Sequence, residues 1–238
     1  MKILTVSDKV DPLLYSPALR RLYGDVDLVL GCGDLPHYYL EYIVTMLGGP
    51  LFYVIGNHTL ELKPTEQPPQ RVPLAPGHAN REAHSEPRDG PDGCENIHGR
   101  HVRYRGLLLA GLEGSMRYST RPDYQYTEPE MAAQARRLLP GLLWNRIRHG
   151  RYLDILVTHA PPAGIHDLPD LCHSGFRIFR TLMERFHPRY LVHGHVHLYG
   201  TAEVAETTYR QTQVINSYGY RLIQMDNGTL RHPKGLRW

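Results

Sequence analysis

The feature that most constrains this chain is the alternation in its first sixty residues. Residues 2–7, 27–31 and 51–55 are short apolar runs of strand type. Two helix-length stretches, 16–23 and 37–47, lie between them. Ser16-Pro17 offers an N-cap and a proline at the first helical position, while Gly24 and Gly48-Gly49-Pro50 supply the stops. A β-α-β-α-β order with short links predicts a parallel sheet, because parallel neighbours need a crossover and a helix provides it.

Each apolar run stops at a residue able to bind metal. Asp8 follows 2–7, Asp34 follows 27–31 through Cys32-Gly33, and Asn57 follows 51–55 through Gly56. Two later runs do the same: 154–157 ends before His159, and 190–192 leads into Gly194-His195-Val196-His197. Each residue alone has a plainer reading. An Asp or Asn makes turns, His159 before Ala160-Pro161-Pro162 can bond backbone, and His195 with His197 can be a polar pair in a loop. Chance would have to place every one. In an open α/β sheet, ligands gather outside the carboxyl ends of the strands. Imidazoles, carboxylates and an amide together suit a divalent transition metal. The count of 15 His fits that reading.

Between these runs the chain varies. Residues 63–98 carry seven prolines without hydrophobic period and read as a long irregular loop, overhanging the site or partly disordered. Residues 101–104 and 107–111 read as a hairpin. Thr127 with Glu130 forms a capping box for a helix over 128–139, followed by a basic amphipathic stretch over 136–148. A helix is expected over 174–186. The tail, with β-rich runs at 201–207, 211–216 and 220–225, reads as an antiparallel meander.

Composition narrows the partners. With 27 basic and 24 acidic residues the net charge is +3, too mild to predict a nucleic-acid or membrane partner. Cys32, Cys94 and Cys172 are far apart and form no Cys-x-x-Cys, so neither a zinc knuckle nor a disulfide framework is expected. No apolar stretch is long enough to span a bilayer, and the N-terminus lacks a signal-type apolar region. The expectation is a single cytoplasmic domain over 1–238, with its oligomeric state unread.

The motifs, in order, are Asp8, Gly33-Asp34, Gly56-Asn57-His58, His159 and Gly194-His195-Val196-His197. In that order they resemble the calcineurin-like metallophosphoesterase superfamily, over most of the chain. The resemblance implies an α/β fold, a β-sandwich flanked by helices in four α/β/β/α layers. It implies two divalent metals bridged by Asp34: one held by Asp34, Asn57, His159 and His195, the other by Asp8, Asp34 and His197. Mn or Fe fit best, with Zn or Ni also suited. Two such ions about 3.5–4 Å apart generate a hydroxide and clamp a phosphoryl oxygen for in-line attack. The implied reaction is hydrolysis of a phosphodiester or phosphomonoester, nucleotide-like substrates included, by direct attack of metal-bound hydroxide. His58 would hold the phosphate and protonate the leaving oxygen.

Two positions depart from the family pattern. The first motif is Asp8-Lys9-Val10 rather than Asp-x-His, so the Asp8 site lacks an imidazole; water or Asp11 are the available replacements, although Asp11 before Pro12 reads better as a turn residue. Thr59 stands where many relatives carry an acid, and Glu61 is its only nearby substitute. A non-catalytic scaffold and a single-metal enzyme therefore stand beside the two-metal reading. Further candidates for substrate contact, beside Asn57 and His58, are His37, His173 and Arg117. The partner expected is a small phosphorylated substrate.

Overall fold

In the computed structural model, residues 1–58, 90–120, 123–200 and 204–225 are described. The elements run β1 (Lys2–Ser7), α1 (Ala18–Tyr23), β2 (Leu28–Gly31), α2 (His37–Leu47), β3 (Leu51–Tyr53), β4 (Cys94–Asn96), β5 (His101–Tyr104), β6 (Leu107–Leu112), β7 (Ser115–Met116), β8 (Gln125–Tyr126), α3 (Glu128–Arg137) and α4 (Leu139–His149). They continue with β9 (Ile155–Thr158), α5 (Arg177–Phe186), β10 (Tyr190–His193), β11 (Glu206–Tyr209), β12 (Thr212–Asn216) and β13 (Gly219–Gln224).

Two sheets form the centre. The first has the order β13-β1-β2-β3-β4, parallel except for β13, and the second has the order β11-β12-β10-β9-β6-β5, parallel from β12 to β6. Alternate residues of each strand point to opposite faces, and both faces are covered, so the strands read as continuous apolar runs. Ile3, Leu28, Leu30 and Phe52 of the first sheet meet Leu109, Ile155, Tyr190, Val192 and Ile215 of the second. On the outer face of the first sheet, Leu4, Val6 and Val29 pack on Leu19, Tyr39 and Ile43 of α1 and α2. On the outer face of the second, Ala110, Leu156 and Leu191 pack on Met131, Leu142, Phe179 and Met183 of α3, α4 and α5. These are the four expected α/β/β/α layers. Among the described residues no helix is long and apolar enough to cross a membrane.

Local signals explain the element ends. The α3 capping box forms as expected, with Glu130 accepting from the Thr127 N–H at 2.7 Å. Helix α2 stops at Gly48 (φ 67°), and α4 stops at Gly150 (φ 74°), both left-handed positions that favour glycine.

Three expectations need correction. The irregular loop placed at 63–98 contains β4, which extends the first sheet parallel to β3; residues 63–89 lie outside those described, as do Thr59, Glu61 and residues 201–203 of the tail. The tail is not one meander. The β11–β12 pair is antiparallel, but β12 then lies parallel to β10, and β13 crosses to the other sheet and pairs antiparallel with β1. Alternation reports a half-buried strand without saying which sheet receives it. Helix α5 begins at Arg177 rather than Ser174, and its first N–H groups, Arg177 and Ile178, donate to the Glu128 carboxylate of α3 at 3.0 and 2.8 Å. That helix start is therefore already capped by an acid and does not stand ready for an anion.

Candidate metal centre

The ends of β1, β2, β3, β9 and β10 converge on one place. Asp8 (φ 62°), Asp34 (φ 54°) and His195 (φ 67°) all lie in the left-handed region. That conformation costs a non-glycine residue energy, and here it turns each side chain off its strand end toward the same point. The backbone closes tightly around them. A Cβ on Gly194 would strike Ser7 Oγ and the Asp8 carboxylate, and one on Gly56 would strike the Asp34 carboxylate. Glycine in these two motifs is required by that close approach.

His159 is fully buried. Its Nδ1–H donates to the Cys32 carbonyl at 2.8 Å, which fixes the tautomer. Its Nε2 then faces Asn57 Oδ1 at 2.9 Å and Asp34 Oδ2 at 3.3 Å. His195 repeats the device: Nε2–H donates to the Cys172 carbonyl at 2.7 Å, leaving Nδ1 as its free ligand atom. Ligand atoms of Asp34, His159 and His195 lie within 4.8 Å of one another. Parking one imidazole N–H on a backbone carbonyl while the other nitrogen faces inward is how metal-ligating histidines are oriented. The donor set fits a divalent transition ion, because three or four electron-pair donors converge with no protein donor between them.

Electrostatics agree. Burial raises the Asp34 carboxyl, but the charge and hydrogen bond of His159, with His58 beside it, outweigh burial and hold it at about 2. Burial disfavours charge on His159, yet Asp34, Asp8 and the Cys32 carbonyl raise it to about 9, so without a cation a proton occupies the position between these groups. Burial, and then the positive His159, depress His195.

The second half of the centre is sparser. Both Asp8 oxygens accept from the His195 N–H, at 3.0 and 2.9 Å, and burial raises its carboxyl to about 6. His197 Nε2 stands 3.9 Å from Asp8 Oδ1, too long for a hydrogen bond. The His197 ring is held from outside, with Nδ1 2.8 Å from Tyr199 Oη and the Tyr218 ring tilted against it at 4.7 Å. Val10 packs toward the α1–α2 core, and Asp11 caps the Leu13 N–H at 2.9 Å as a turn residue. Neither residue replaces the imidazole the motif lacks.

The remaining candidates separate. The exposed His58 donates its backbone N–H to Asp34 Oδ1 at 2.8 Å and stands at the mouth. The ring of His173 lies 5.2 Å from that of His195 and is oriented by Asp170 at 2.8 Å. His37 is exposed at the start of α2 and lines a shallow cleft with Gly33 and Asp34. Arg117 is a correction: it forks onto Glu130 at 2.9 and 3.1 Å and onto the Gln125 carbonyl, away from the centre. Its neighbour Tyr118 is the residue that arrives, accepting from Asn57 Nδ2 at 3.1 Å. Just beyond β7, where the Arg117 N–H still donates to the Tyr126 carbonyl, the two successive side chains go opposite ways. The supporting roles of the Cys172 carbonyl, Tyr199 and Tyr218 were not foreseen; Asn216-Ser217-Tyr218, a polar ending on another apolar run, was the available signal.

Fold and site together define the class: an α/β/β/α domain with a metal-type donor cluster at its strand ends, as in metal-dependent phosphoesterases. The family profile for calcineurin-like phosphoesterases matches residues 3–199, and the chain belongs to that family. One solved structure aligns at TM-score 0.58 and 13% identity, covering 93% of this chain and 94% of its own. TT1561 of Thermus thermophilus aligns at TM-score 0.54 and 16% identity over 93% of both chains. Likeness at such identities concerns the fold. No curated protein sequence matches.

Proposed function

We propose that this chain hydrolyses a small phosphoester, a phosphodiester or phosphomonoester of nucleotide-like size, using two divalent ions of Mn or Fe type, with Zn or Ni as further fits. The observation that carries the reading is the pairing of His159 and His195. Each anchors one ring nitrogen on a backbone carbonyl, and a ligand atom of each lies within 4.8 Å of an Asp34 carboxylate oxygen. Asp34, Asn57, His159 and His195 would hold one ion, and Asp8, Asp34 and His197 the other. Bound there, the ions supply acidified water as nucleophile and neutralise charge on the phosphoryl oxygens. The chain's own groups do the rest. His58 at the mouth donates to the phosphate and delivers a proton to the leaving oxygen. Tyr118 fixes the Asn57 amide so that its oxygen faces His159. His173 supplies a further donor on the rim. No side chain is placed as a nucleophile, so no phosphoenzyme is expected.

The test is hydrolysis of aryl phosphomonoesters and phosphodiesters by chelator-stripped protein reloaded with Mn²⁺. Activity that returns with metal and is lost in His159→Ala supports the reading; full-length folded protein inactive on both classes with every candidate metal overturns it.

Val10 and Asp11 favour a second reading. With no imidazole at the Asp8 position, one ion at the Asn57–His159–His195 site could suffice, or the fold could serve as a binding scaffold. The family includes non-catalytic members. Metal content separates these: one ion per active chain supports the first, and no retained transition metal supports the second.

A further inference from the structure

A second surface, on the flank formed by α4, carries chemistry that the phosphoesterase reading does not use. Helix α4 buries Gly141, Leu142 and Asn145. Its opposite face leaves Leu143 54%, Trp144 60% and Ile147 79% exposed. At 100° per residue, Leu143, Trp144 and Ile147 share one outward stripe, and Arg146 and Arg148 border it on either side. The residues from 131 to 153 contain five Arg and no Asp or Glu. The mild overall charge of +3 therefore conceals a segment of +5 on a remainder of −2. Arg136, Arg137, Arg146 and Arg148 have no carboxylate partner among the described residues. Arg151 alone of the five is paired among the described residues, with Asp154 at 2.7 Å; partial desolvation and then Arg103, Arg148 and Arg151 still depress the His149 pKa against the opposing charge of Asp154.

We infer that the α4 face docks on an anionic lipid surface, with Leu143, Trp144 and Ile147 entering the interface and the arginines engaging headgroup phosphates. The pattern of an indole and aliphatics flanked by arginine on one helix face is that of an interfacial helix. Two alternatives fit less well. A second copy would set two such basic faces against each other, and three side chains expose only a few hundred Å², short of the roughly 800 Å² per partner of a stable interface. A nucleic acid would match the arginines but leave the apolar centre against phosphate and water. The inference goes beyond the phosphoesterase reading and stands or falls separately from it.

The test is flotation of the full-length protein with phosphatidylcholine vesicles, with and without phosphatidylglycerol. Binding is expected only with the anionic lipid and should weaken as salt rises. In a Trp238→Phe background, Trp144 emission should shift to the blue on binding. Ile147→Ser should weaken partitioning by about tenfold or more, and Arg148→Gln by roughly fivefold. Both positions are exposed, so circular dichroism and the thermal midpoint should stay at wild-type values. Absence of binding to anionic vesicles overturns the inference, as does binding that Ile147→Ser leaves unchanged. Concentration-dependent self-association abolished by Ile147→Ser, without vesicle binding, would reassign the face to a second copy.

Discussion

The Nε2 of His159 lies 2.9 Å from the Oδ1 of Asn57, although 102 residues of chain separate the two. One sits beyond the end of β9 in the second sheet and the other beyond β3 in the first. The site therefore exists only where the two sheets are correctly apposed. Because the His159 Nδ1–H is committed to the Cys32 carbonyl, whatever bridges Nε2 and the amide oxygen must be a proton or a cation.

Removing either partner should therefore remove the better ion. His159→Ala and Asn57→Ala are expected to lower kcat/KM for an aryl phosphate by about 100-fold or more, with loss of bound metal by elemental analysis. Asp8→Ala and His197→Ala should cost about tenfold, because their site already lacks an imidazole. Equal losses in all four variants would mean that both ions are obligatory.

His58 should matter according to the leaving group. If it delivers the proton, His58→Ala slows alkyl phosphoesters by about 10²–10⁴-fold and nitrophenyl esters, whose leaving oxygen needs no proton, far less. A loss independent of leaving-group pKa would confine His58 to phosphate binding.

Gly194 should tolerate no side chain. In Gly194→Ala the new Cβ strikes Ser7 Oγ and the Asp8 carboxylate in a packed setting. Overpacking of this kind costs about 1–3 kcal/mol. Differential scanning calorimetry should show a lower thermal midpoint, and titration should show that more metal is needed for half-maximal activity.

Stability should fall in mild acid through His98. Its Nδ1 accepts the Glu113 N–H at 3.0 Å, and burial followed by the Arg137 charge depresses its pKa to about 4. The folded state thus holds His98 neutral while the unfolded chain takes up a proton below about 6.5. The unfolded state binds more protons in that interval, so stability drops as pH falls from 6.5 toward 4, by roughly 3 kcal/mol from this group. Denaturant titrations at neutral and acidic pH should show the drop, and His98→Gln should remove that share of it.

How much of this was legible depended on whether a signal was local. Buried parallel strands leave continuous apolar runs, so β1, β2, β3, β9 and β10 and their polar endings could be read directly. So could the Thr127–Glu130 capping box, which closes within four residues. Contacts made by tertiary proximity could not. Arg117 and Tyr118 were equivalent as sequence, and only the pairing of β7 with β8 sends one to Glu130 and the other to Asn57. Capping of α5 by Glu128, 49 residues upstream, leaves no mark in either segment. The second-sheet arrangement of β12 was equally hidden, because its pattern suits either neighbour.

The pairing of β13 with β1 has a consequence for biosynthesis. Strand β1 is bordered by β13, made more than 200 residues later, through a register from Lys2–Gln224 to Ser7–Gly219, with Ser217 Oγ donating to Thr5 Oγ1 at 2.8 Å. Until residues 219–224 have been made, one edge of β1 is open. A nascent chain therefore carries Asp8 at the end of a strand with one unpaired edge, although Asn57, His159 and His195 have already been made. The sheet edge beside Asp8 is thus closed late in synthesis, after every other residue of the centre exists.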